Sequence, residues 1–133
     1  MEPSALHIGF IGVGRMGSNM ARRLKDLGYR IAAIHDRQST SAEILGRELT
    51  CEVVSSPARV AERSNIVLTV VSDDAAMREI YAERDPASLV AHAQDRLFIN
   101  CATITPAIHA DIEHIVERHG GSSLEACMAS SIT

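Results

Sequence analysis

His7-Ile8-Gly9-Phe10-Ile11-Gly12-Val13-Gly14-Arg15-Met16-Gly17 is the stretch on which the reading of this chain turns. His7–Ile11 is a compact apolar run of strand length, and glycines in G-x-G-x-x-G spacing follow it at once. From residue 15 to 27 the apolar residues Met16, Met20, Leu24 and Leu27 recur at helical spacing, and Gly28 supplies a C′ residue. A glycine loop between a strand and a helix suits a pyrophosphate. Gly12 permits the tight turn, Gly14 lets the phosphates reach the backbone, and Gly17 lets the helix pack close to the strand. Ala21, small and one turn on, serves the same packing. The helix start adds free N–H groups and positive partial charge. The motif alone is weak. Followed by a second apolar run, Arg30–His35, and then by Asp36, it has the full context of a dinucleotide-binding unit. Gly12, Gly14, Arg15, Met16 and Gly17 are therefore expected to bind the cofactor.

The end of the second run, His35-Asp36-Arg37-Gln38-Ser39-Thr40, is expected to meet the adenosine ribose. A carboxylate such as Asp36 accepts both ribose hydroxyls and repels a 2′-phosphate, which favours NAD. Arg37, helped by Ser39 and Thr40, would instead hold that phosphate and favour NADP. The expectation is NAD, with NADP as the alternative.

Outward from this unit, short apolar runs alternate with amphipathic stretches. Helices are predicted over 41–49, from Ser56-Pro57, after Ser72 or Asp73, and from Thr105-Pro106 to Gly120. Strands are predicted over 51–54, 65–71, 96–101 and 122–128. The run 65–71 is apolar on both faces, as a central parallel strand should be. Residues 83–95 read as a loop with a short helix. This alternation predicts an α/β, Rossmann-type, doubly wound domain over 1–133, its six mostly parallel strands in the order 3-2-1-4-5-6 with helices on both faces.

Composition narrows the function classes. The chain has 133 residues, 46% hydrophobic and 23% charged, which suits one globular domain. Its 13 basic and 17 acidic residues are scattered, giving net charge −4 and no footprint for nucleic acid. No apolar run is long enough for a membrane span, and no signal peptide is expected at the start. Cys51, Cys101 and Cys127 sit in strand-like apolar contexts and read as reduced core residues of a cytoplasmic protein.

Residues 8–21 closely resemble the opening of the β-hydroxyacid dehydrogenase family, Met16 being a more specific mark than the glycines. That family includes 3-hydroxyisobutyrate dehydrogenase, the 6-phosphogluconate dehydrogenases, tartronate semialdehyde and glyoxylate reductases and, more distantly, imine reductases. Residues 66–72, with Asp73 and Asp74, resemble the strand leading to its Leu-Pro turn, which adds Val71 and Ser72 to the cofactor set. Residues 100–106 resemble its Asp-x-Ser-Thr-x-x-Pro segment beside the nicotinamide, which adds Thr103. Residues 124–131 resemble its Leu-Asp-Ala-Pro-Val-Ser-Gly-Gly substrate segment, which makes Ala129, Ser130 and Ser131 the expected substrate-binding residues.

The departures matter. Val71-Ser72 replaces Leu-Pro, Ala102 replaces a serine, and Ala129-Ser130-Ser131 replaces Ser-Gly-Gly. Two serine Cβ atoms change how substrate oxygens approach the backbone, so the family's usual 3-hydroxycarboxylate is not carried over. Aligned without a gap from Gly17, His35 falls where NAD-using relatives have Asp, and Asp36 falls where NADP-using relatives have Arg.

The resemblance implies an NAD(P)-dependent oxidoreductase that moves a hydride between the nicotinamide and a small hydroxy acid, aldehyde or imine. Its general acid/base would be a lysine on an interdomain helix beyond Thr133, leading into an all-helical domain that forms a homodimer. The only lysine here, Lys25, is late in the first helix and is expected far from substrate. No catalytic residue is therefore assigned, and this chain alone is expected to turn nothing over. The rival reading is a non-catalytic dinucleotide-binding or assembly module. Of Asp73 and Asp74, one is expected to cap a helix. His109, His114 and His119 recur every fifth residue, share no helix face, and are expected at the surface.

Overall fold

The computed structural model describes residues 2 and 5–126. Six strands alternate with helices: β1 His7–Ile11, α1 Arg15–Asp26, β2 Arg30–His35, α2 Ser39–Leu49, β3 Glu52–Val53, α3 Pro57–Glu62, β4 Ile66–Thr69, α4 Asp74–Ile80, β5 Leu97–Asn100, α5 Pro106–Arg118 and β6 Ser122–Glu125. A 3-10 helix, Leu89–His92, lies between α4 and β5. The sheet order is β3-β2-β1-β4-β5-β6, as expected, and every neighbouring pair is parallel.

Successive strand side chains point to opposite faces, so the sheet separates two cores. On one face Ile8, Phe10 and Leu68 pack with Ala21 of α1 and with Ala42, Leu45 and Leu49 of α2. On the other, Ile11, Val67 and Phe98 pack with Val60 of α3, Met77 and Ile80 of α4, and Ile108, Ile112 and Val116 of α5. No helix among the described residues is long and apolar enough to cross a membrane.

The local punctuation follows the sequence. Gly28 takes φ +95° past α1; its N–H donates to the Lys25 carbonyl and that of Tyr29 to the Leu24 carbonyl. Ser56 caps α3, accepting from the Arg59 N–H, with Pro57 in the first turn. Asp73, not Ser72, caps α4, accepting from the Ala76 N–H at 2.7 Å.

Three expectations are corrected. The strands after the second are shorter than predicted, β3, β4 and β5 at both ends, because their flanking residues already belong to the loops and turns that leave the ladder. Helix α2 starts at Ser39, two residues early, since the Asp36 carboxylate accepts the Gln38 N–H and turns the chain at once. His109 is 8% exposed rather than at the surface. It extends the buried stripe of Ile108, Ile112 and Val116 toward β6, where its Nε2 lies 3.5 Å from Glu125.

One irregularity bears on the site. The β1–β2 register slips between Ile8 and Gly9, which pair with Ile31 and Ala33 and leave Ala32 extra. The bulge puts Ile31 and Ile34 in the same core and reverses the side-chain alternation ahead of His35 and Asp36.

Candidate functional site

The chain crosses the sheet between β3 and β4, so the order reverses beside β1. In a doubly wound sheet a crevice opens at that point, outside the carboxyl ends of the strands. The structure has one there, of about 630 Å³. Gly12, Gly14, Arg15, Met16 and Gly17 line it from the glycine loop, and His35, Asp36 and Arg37 from the end of β2. Val71 and Ser72 line it from the turn after β4, and Thr103 from the turn after β5. Every described residue expected to bind the cofactor therefore borders one cleft. Ala129, Ser130 and Ser131 lie outside the described residues.

The glycines do different work. Gly12 has φ +91°, and a Cβ there would stand 2.2 Å from the Val70 carbonyl oxygen. A Cβ on Gly17 would stand 2.1 Å from the carbonyl oxygen of Gly12, so α1 touches the loop backbone. A Cβ on Gly14 would meet nothing within 4 Å, although Gly14 lines the cleft. That open space lies at the N-terminus of α1, where no side chain caps the first turn. An uncapped helix start facing an open, glycine-lined cleft fits a pyrophosphate. The loop is also held in place. The Gly12 N–H donates to the His35 carbonyl at 2.9 Å, the Ser18 hydroxyl to the Val13 carbonyl at 2.6 Å, and the Val13 N–H to Asp36 Oδ2 at 2.7 Å.

Asp36 thus has a role the sequence did not disclose. One carboxylate oxygen accepts from Val13 and the other from Gln38, tying the glycine loop to the start of α2. Each oxygen keeps a further lone pair. His35 turns away, its Nδ1 2.9 Å from the Val54 carbonyl. Arg37 reaches over to α4, its guanidinium 3.2 Å from Glu79. Ser39 and Thr40 do not border the cleft. The earlier start of α2 brings Gln38 and Ser41 there instead.

The opposite end rests on a buried polar cluster. Asn100 Oδ1 accepts from the Thr69 hydroxyl at 2.7 Å and the Tyr81 hydroxyl at 2.5 Å, joining β4, β5 and the end of α4. Burial holds the Tyr81 phenol far above the ordinary tyrosine range. Asp74 accepts from the Thr105 N–H at 3.1 Å and ties the turn after β5 to α4. Cys101 is buried, as expected, yet it also borders the cleft. Burial pushes its thiol up, which disfavours a nucleophilic thiolate. Its place at the end of β5, just before Thr103, is the signal that would have found it. Lys25 is outside the cleft, donating to the Leu49 carbonyl at the end of α2.

Residues 7–130 match a family model described as the NAD binding domain of 6-phosphogluconate dehydrogenase. Mitochondrial 3-hydroxyisobutyrate dehydrogenase of Bos taurus is 30% identical over 125 residues, which are 94% of this chain and 36% of that protein. The structure of Mycobacterium tuberculosis 3-hydroxyisobutyrate dehydrogenase with L-serine superposes with a TM-score of 0.82 at 24% identity, covering 94% of this chain and 41% of that one. An imine reductase from Myxococcus stipitatus in complex with NADP+ gives 0.78 at 22%, covering 90% and 39%. These structural likenesses bear on the fold, and the chain spans little more than a third of the curated relatives' length. The match across nearly all of its sequence, with the glycine loop and cleft it predicts in place, shows that the chain belongs to the family of NAD-binding domains of 6-phosphogluconate dehydrogenase.

Proposed function

We propose that this domain is the cofactor half of an oxidoreductase that moves a hydride between a nicotinamide and a small hydroxy acid, aldehyde or imine, with NAD as its dinucleotide. The observation that carries the reading is the open space at Gly14, at an uncapped helix start inside the cleft. A bound nicotinamide would supply the hydride chemistry. Gly12, Gly14, Arg15, Met16 and Gly17 would hold the pyrophosphate through backbone N–H groups and one guanidinium. Asp36 would offer the ribose hydroxyls the lone pairs it does not use on Val13 and Gln38. Val71, Ser72 and Thr103 would border the nicotinamide, over turns whose positions the Thr69–Asn100–Tyr81 cluster holds.

A proton must move with the hydride, and a group that carries it must come within hydrogen-bond reach of the substrate oxygen. Among the described residues the cleft has no lysine, and its one histidine, His35, bonds to Val54. In this proposal the proton donor and the homodimer contact belong to a further helical domain, and Ala129, Ser130 and Ser131 to the substrate side. A reducing compartment, the cytoplasm in our reading, suits the free thiols of Cys51 and Cys101.

Titrating residues 1–133 with NADH while following nicotinamide fluorescence tests the proposal. Saturable binding that NAD+ displaces is expected, without NADH oxidation by glyoxylate, succinic semialdehyde, tartronate semialdehyde or cyclic imines. No binding at millimolar NADH would overturn the cofactor role. Steady turnover would show that the chain holds its own proton donor.

A further inference from the structure

We propose that Glu79 is a specificity residue of this cleft: by holding the Arg37 guanidinium across the adenosine end, it disfavours dinucleotides that carry a 2′-phosphate. The inference rests on the dinucleotide reading above and adds a residue outside the glycine loop and the end of β2.

Arg37 and Glu79 are 42 positions apart in the chain, yet the guanidinium Nη2 lies 3.2 Å from Glu79 Oε2. Arg37 borders the cleft beside Gln38 and Ser41. Glu79 belongs to α4, whose Ala76 and Ile80 form the facing wall. The ion pair therefore joins the two walls where the end of β2 meets α4. Asp36 alone is a weaker barrier to a 2′-phosphate than its charge suggests, because each of its oxygens already accepts a backbone N–H. The charge that meets an incoming phosphate is therefore set by Arg37 and its partner.

A ribose with two free hydroxyls needs no cation. A 2′-phosphate needs the guanidinium fork, which offers paired N–H donors to its oxygens. To use that fork it must displace Glu79, and the carboxylate that remains repels it. Both residues are largely exposed, with side-chain exposures of 71% and 72%, so each effect is modest. Releasing an exposed ion pair and removing one like charge a few ångströms from a phosphate together give about a five- to tenfold change in affinity.

The test is a titration of residues 1–133 with NADH and with NADPH at low ionic strength, for the wild type, Glu79→Gln, Arg37→Ala and the double variant. Glu79→Gln should tighten NADPH about five- to tenfold and change NADH less than about twofold. In the Arg37→Ala background the NADPH gain should fall below about threefold, because the fork is gone and only repulsion is relieved. The gain should also shrink in salt of about 0.5 M, where exposed charges are screened. An unchanged NADPH/NADH ratio in Glu79→Gln, or an equal shift in both ligands, would overturn the role of Glu79 and leave the dinucleotide reading standing. A wild-type chain that binds neither cofactor would overturn both.

Discussion

Valine at position 14 should destroy cofactor binding and leave the fold intact. Gly14 has φ −68° and ψ −162°, a conformation open to any L residue, and a Cβ there has no neighbour within 4 Å. The structural cost is that valine is a poorer helix N-cap than glycine, about 1 kcal/mol. Reduced freedom of the unfolded chain returns about 0.4–1 kcal/mol of this. The net change is about 1 kcal/mol or less, a melting shift of about 5 °C at most. The ligand fares differently, because the valine methyls occupy the space that the pyrophosphate enters. NADH affinity should fall at least about a hundredfold, which corresponds to about 2.7 kcal/mol. Gly17→Ala is the opposing control. Its methyl would lie 2.1 Å from the Gly12 carbonyl oxygen, backbone that cannot move aside without disturbing the loop. It should cost about 3 kcal/mol of stability or more, and about 10 °C. Calorimetric NADH titration alongside thermal melts by circular dichroism reads both quantities. A folded Gly14→Val chain that binds NADH within about threefold of wild type would refute the placement of the phosphates.

Asp36→Ala strips the acceptor from the Val13 and Gln38 N–H groups. It should lose about 1–3 kcal/mol in denaturant melts and weaken NADH more than NADPH; wild-type stability would contradict the tether. Because burial raises the Tyr81 phenol, the folded chain keeps a proton that the unfolded chain gives up above about pH 10. Stability should hold below that pH and fall as pH rises through it. Tyr81→Phe should lose about 1 kcal/mol at neutral pH and show a shallower alkaline fall, and an equally steep fall would count against the assignment. Burial also pushes the Cys101 and Cys51 thiols up, so thiolate is scarce at pH 8. In a Cys127→Ser chain, disulfide-reagent labelling should run at least about tenfold slower when native than when denatured, and equal rates would show that the thiols are open.

Residue types and spacing were enough for the architecture. The glycine loop between an apolar run and a helical stripe, followed by strand–helix alternation, admits few arrangements, because parallel strands need crossovers and crossovers share one hand. The sheet order and the residues bordering the cleft were legible for that reason, since in this topology the carboxyl ends of β1, β2, β4 and β5 must meet. Helix caps such as Asp73 and turns such as Gly28 were legible too, because hydroxyls, carboxylates and glycines act there on the backbone a few residues away.

What depends on register and on distant partners was not legible. His109 reads as a surface residue by its spacing to His114 and His119, but α5 packs that face against β6. Cys101 reads as core by its apolar context, and its one sequence hint of a second role, a place two residues before Thr103, gains meaning only once the β5 edge is seen to border the cleft. Glu79 carries no motif, and only the fold sets it beside Arg37. The sharpest case is the end of β2, where the sequence pointed to Asp36 but left open how His35 and Asp36 are turned. The extra residue at Ala32 decides it: a one-residue slip sends every later side chain to the opposite face, which turns His35 toward Val54 and Asp36 toward Val13. The glycine spacing and the strand–helix alternation determine that a dinucleotide-type cleft forms; the register of the β1–β2 pair, a balance of packing across the whole sheet, decides that the Asp36 carboxylate turns to the glycine loop while His35 turns to Val54.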